Sequence, residues 1–73
     1  MKWRVTYKRV YGTQKEAERD LRDVKDKAKN PVVKQGLSGG FLIVLYESED
    51  RVMIDRSVDY YTKKGLLVFV NKA

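Results

Sequence analysis

Acid–base and nucleophilic catalysis draw on a short set of side chains, and this chain of 73 residues contains no His and no Cys. A catalytic acid or base would then have to be a carboxylate or lysine held in a pocket, and a nucleophile would need a base beside it. The carboxylates are not grouped in that way. Glu16, Glu18, Asp20, Asp23 and Asp26 alternate with Lys and Arg, and Glu47, Glu49 and Asp50 fall in a turn-like segment without the spacing of an EF-hand loop. The chain is therefore read as a non-enzyme, with no metal and no cofactor expected.

Glycine supplies the next candidate chemistry. Gly36-Leu37-Ser38-Gly39-Gly40 lacks the Lys-Ser/Thr ending of a P-loop and has no helix behind it, so it reads as a hairpin turn. Gly65, after Lys63-Lys64, reads as a helix C-cap. The segment Gly39-Gly40-Phe41-Leu42-Ile43-Val44-Leu45-Tyr46 matches a binding pattern at Gly40, Phe41, Val44 and Tyr46. In these positions it resembles the RNP1 octapeptide of the RNA recognition motif, with Gly39 in place of the basic residue, Leu42 of the small one and Ile43 of a stacking aromatic. The resemblance covers eight residues and implies a strand that offers Phe41 to a base. A buried central strand after a glycine turn has the same appearance.

Net charge is +6, and it is unevenly distributed along the chain. Lys2, Arg4, Lys8 and Arg9 have no acid among residues 1–12, whereas residues 13–30 and 31–73 each hold six basic and five acidic side chains. The excess is thus assigned to the first strand, as a local cationic patch. Its rival is edge protection, in which strand Lys and Arg block aggregation.

These residues must be positioned by regular elements. Lys2 to Lys8 alternates, with Trp3, Val5 and Tyr7 on one face and Lys2, Arg4, Thr6 and Lys8 on the other, the period of a half-buried strand. Thr13-Gln14-Lys15-Glu16 has the form of a capping box. Ala17, Leu21, Val24 and Ala28 then form a narrow apolar stripe on a helix ended by Asn30-Pro31. The i,i+4 combinations Glu18–Arg22, Arg19–Asp23, Arg22–Asp26 and Asp23–Lys27 predict a self-paired solvent face.

Val32 to Leu37 reads as a second strand, Phe41 to Tyr46 as a third that is apolar on both faces, and Leu66 to Asn71 as the last. Between Glu47 and Lys64 two periods compete. Val52, Ile54, Val58 and Tyr60 suit a strand, while Ile54, Val58 and Tyr61 suit a helix. A strand at Arg51 to Asp55 followed by about two turns of helix accommodates most of these signals.

The expected fold is a single α+β domain over residues 1–73, a two-layer antiparallel sheet with helices on one face in the ferredoxin-like βαββαβ order. The alternative is a five-stranded sheet with one long helix. No stretch is long and apolar enough to span a bilayer and no signal peptide is evident, so no membrane partner and a cytoplasmic location are expected. The charged fraction of 36%, above the usual ~25%, points towards a thermophilic source.

Two functions follow as expectations. The first is nucleic-acid binding on the open sheet face, with Lys2, Arg4, Lys8 and Arg9 holding phosphates and Phe41 stacking on a base. The second is a protein-interaction module, a small regulator docking on a larger protein or a homodimer, joined through an apolar outer face made of Phe41, Ile43 and Leu45.

Overall fold

The computed structural model describes residues 1–73 as β1 (Trp3–Tyr7), α1 (Gln14–Val24), β2 (Val32–Gln35), β3 (Phe41–Ser48), α2 (Arg51–Lys63) and β4 (Val68–Lys72). This is the βαββαβ order, and the five-stranded alternative is set aside. The strands form one sheet in the order β2-β3-β1-β4 with every neighbouring pair antiparallel. Both helices cover one face, α1 over β2 and β3 and α2 over β1, β3 and β4. The open side of the sheet has no second layer.

Because β1 lies between β3 and β4, its cations do not protect a sheet edge, and that reading is corrected. The edges are β2 and β4. Alternation in β1 holds as expected: Val5 is fully buried in the core, and Trp3 and Tyr7 pack against it.

The face of β3 is set by its partners rather than by its own composition, since residues opposite each other in an antiparallel pair point to the same side. Thr6 pairs with Val44, Arg4 with Glu47 and Lys34 with Leu42, so Leu42, Val44 and Glu47 lie on the open side. Val33 pairs with Ile43 and Val5 with Tyr46, so these face the helices. The register shift between Val5 and Thr6 leaves Leu45 as the extra residue of a bulge, and it too joins the core. Ile43 is 0% and Leu45 5% exposed. The expected outer face of Phe41, Ile43 and Leu45 is therefore the inner face, covered by α1 and α2, and the argument for a dimer through it is withdrawn.

Thr13 caps α1 by accepting a hydrogen bond from the Glu16 amide at 3.2 Å. The helix ends at Val24, earlier than the Asn30-Pro31 signal. The Val24 carbonyl accepts from both Lys27 and Ala28, so the chain continues in turns that still bring Ala28 into the core. Ala17, Val24 and Ala28 are buried as expected, with Leu21 packed beside them.

The divided segment is one helix, and the expected strand at Arg51 to Asp55 is absent. Asp50 caps α2, its carboxylate accepting from the Val52 amide at 2.9 Å. Ile54 and Tyr61 are buried and Val58 packs on the core, whereas Val52 and Tyr60 are exposed. The helical period finds apolar cover and the alternating one does not. No helix is long and apolar enough to cross a membrane.

Candidate nucleic-acid interface

The cations of the first strand do not form one patch. Arg4 is on the open face, but its Nε donates to Glu47 Oε2 at 2.8 Å, and Lys34 Nζ donates to Glu47 Oε1 at 2.5 Å. The Arg4 side chain is only 15% exposed. These two bonds, that from Lys34 first, hold the Glu47 carboxyl below the usual carboxylate range. Arg4 is thus committed to a three-residue ionic cluster across β1, β2 and β3.

Lys8 departs from the strand with φ of 63°, and its ammonium lies 3.6 Å from Asp20 on α1. Arg9 reaches Glu16 at 3.4 Å while its guanidinium lies 4.3 Å from the centroid of the Tyr11 ring. Both side chains remain about half exposed. Lys2 is exposed and has no ion pair.

Phe41 does not stand beside these cations on the open side. Its neighbours Leu42 and Val44 point there, and Phe41 packs against the core, its backbone paired with that of Tyr11. The RNP1 resemblance fails at the same point, because the third and fifth positions that would stack bases, Phe41 and Ile43, face the helices.

An aromatic that the sequence did not single out takes the open-face position. Phe69 pairs with Thr6 and is 49% exposed. With Thr6, Lys8, Arg9, Val10, Leu42 and Asn71 it lines one shallow groove. Asn71 Nδ2 donates to Thr6 Oγ1 at 2.7 Å, and the Thr6 hydroxyl lies 3.4 Å from the Phe69 carbonyl it donates to. This network fixes the groove floor and leaves the Asn71 carbonyl oxygen as an acceptor. Leading into and along β4, both Leu66-Val68-Val70 and Leu67-Phe69-Asn71 are largely apolar, so the pairing with β1, Val5 opposite Val70 and Thr6 opposite Phe69, sets which set faces out.

The opposite side of the molecule holds a second concentration of charge. None of the i,i+4 ion pairs expected on α1 forms. Glu16 and Asp20 turn instead to Arg9 and Lys8, and Asp20 also accepts from the Tyr11 hydroxyl at 2.7 Å. That bond first, and then Lys8, lower the Asp20 carboxyl from its ordinary value. Of the four cations counted among residues 1–12, Lys8 and Arg9 are thereby paired with α1 and Arg4 with Glu47, Lys2 stays unpaired, and α1 is left with unpaired cations of its own.

No three carboxylates converge in a way that would hold a metal ion. Compared with protein-family models, with curated proteins and with solved structures, the chain shows no match.

Proposed function

We propose that this is a non-catalytic nucleic-acid-binding domain that lays a single-stranded segment across the open face of its sheet at Phe69. The observation that carries this reading is the groove in which an exposed aromatic ring stands among Lys8, Arg9, Thr6 and Asn71. Stacking on the ring accepts any base, the two cations meet the backbone, and the Asn71 amide offers a polar edge. Lys2, exposed just before β1, adds a free charge, Arg4 stays with Glu47, and Phe69 takes the role expected of Phe41. The net charge of +6 favours encounter with a polyanion.

Titration with a fluorescent single-stranded oligonucleotide tests the reading. Phe69→Ala should weaken binding by about 1–3 kcal/mol with little change in the dependence on salt. Lys8→Ala with Arg9→Ala should flatten the plot of log affinity against log salt by roughly 0.7 per lost contact. Equal affinity of the parent and Phe69→Ala would remove the proposal.

A second reading, docking on another protein, is favoured by the exposure of Val10, Leu37 and Leu67 as well as Phe69. Association through these residues would persist at high salt, where phosphate binding falls steeply.

A further inference from the structure

We infer that α1 carries a second phosphate-binding surface, a cationic ridge that lies along the backbone of duplex nucleic acid and works independently of the Phe69 groove. Wound at about 3.6 residues per turn, α1 divides into three strips. Ala17, Leu21 and Val24 face the core, Glu16, Asp20 and Asp23 share one flank, and Lys15, Arg19, Arg22 and Lys25 share the solvent side. The ridge residues line one open hollow with Glu18 and Leu21.

All four cations are exposed, and none has a carboxylate within ion-pairing distance. Glu18, the one acid in the hollow, accepts from Gln14 Nε2 at 3.1 Å. Asp23 lies four residues from Arg19 yet makes no ion pair with it. The strip therefore keeps three positive charges in excess, four cations less Glu18.

The chemistry of the ridge selects its ligand. It has no aromatic to stack on a base, so single strands gain nothing there beyond phosphate contact, whereas a duplex presents its phosphates outward with the bases already stacked. Lys15 to Lys25 spans about 15 Å at a rise of about 1.5 Å per residue. One strand of a duplex places about four phosphates along that length, at about 3.4 Å of axis each. An anionic membrane would meet only the charge, without the apolar insertion that strengthens an interfacial helix, because Leu21, the one apolar residue of the hollow, is half-buried against the core. The ridge shares no lining residue with the groove, and only the acidic flank of α1, through Asp20 and Glu16, touches the groove residues Lys8 and Arg9.

The test is fluorescence anisotropy with a mixed-sequence duplex of about two turns, read at several salt concentrations. Arg19→Ala with Arg22→Ala should lower the log–log salt slope by about 1.8, two contacts at about 0.9 each. The circular dichroism spectrum should be unchanged. Arg56→Ala with Lys63→Ala removes the same charge from exposed positions of α2 and should leave the slope near that of the parent. Phe69→Ala should leave duplex binding intact, so a failure of the groove reading and a failure of the ridge reading are distinct results. Equal slopes for the two double variants would overturn the inference, as would binding to anionic vesicles but not to the duplex.

Discussion

The Tyr11 hydroxyl donates a 2.7 Å hydrogen bond to Asp20 Oδ2, which ties the segment after β1 to the side of α1. Tyr11 is fully buried, and the bond draws Asp20 away from the cations of its own helix. Burial first, and then Asp20, push the tyrosine hydroxyl well above its ordinary value, so it stays a donor at any physiological pH. Tyr11→Phe keeps the ring and removes the donor, and should cost about 1.5–3 kcal/mol in urea melts at pH 7. Because the folded-state value of Asp20 is depressed, its contribution is present above the unfolded carboxylate value and is lost as pH falls through the folded one. The loss of stability between pH 5 and pH 2 should accordingly be smaller in Tyr11→Phe than in the parent.

The cluster of Arg4, Glu47 and Lys34 gives a second acid-sensitive contribution. Glu47→Gln leaves a largely covered guanidinium without its counter-charge and should destabilise the fold by about 1–3 kcal/mol at neutral pH. Glu47 is held low in the folded state, so the parent gains this stability above the unfolded carboxylate value and loses it on acidification, a limb that Glu47→Gln should flatten. Arg4→Ala should resemble Glu47→Gln in thermal melts and leave oligonucleotide affinity close to the parent's. A large loss of affinity on Arg4→Ala with no change in melting would return Arg4 to the binding surface.

Ile43 separates an inner from an outer β3 face. It is fully buried beneath the helices, so Ile43→Ala should cost about 2–5 kcal/mol. Ile43→Asp should abolish the cooperative thermal transition, because the charge would be buried without a partner. A folded Ile43→Asp protein would place the residue on a free surface.

Two neighbouring glycines should respond differently to the same change. Gly39 has φ of +90° with open space where a Cβ would stand, so Gly39→Ala carries backbone strain alone, about 1–2 kcal/mol. Gly40 has φ of +72°, and a Cβ there would come within 2.6 Å of Val10 Cγ1 and 3.1 Å of the Tyr11 carbonyl. Denaturant midpoints should fall further for Gly40→Ala, which also opens the Tyr11–Phe41 pairing.

What was legible in the sequence was local. The alternation of Trp3, Val5 and Tyr7, the Thr13 cap and the stripe of Ala17, Val24 and Ala28 all depend on residues a few positions apart, and all stand in the structure. The face of β3 was not legible, because Phe41 to Tyr46 is apolar on both sides and its phase is fixed by Thr6, Val33 and the bulge at Leu45. Nor was the location of free charge. Arg4 meets Glu47 43 positions away, and Lys8 and Arg9 take acids from a helix that the linear count treated as balanced. The outward turn of Phe69 is fixed in the same way, by its pairing with Thr6, and the free cations of α1 by the acids that Lys8 and Arg9 take.

The strand order also governs how the chain assembles as it leaves the ribosome. β1 emerges first, yet its partners lie far along the chain, Trp3 opposite Ser48 on one side and Lys72 on the other. β1 and β2 are not paired, since β3 comes between them, so residues 1–40 contain no strand pair at all. Nascent β1 and α1 must wait for β3 before any ladder forms. Only the β2–β3 hairpin is local, and both ladders of β1 close loops of roughly 40 residues or more, a cost that slows folding relative to helical proteins of the same size. Joining the ends and opening the chain between α1 and β2, at residues 25–31, would keep the β2–β3 hairpin and place β4 next to β1 in sequence, and such a permutant should fold faster than the natural order.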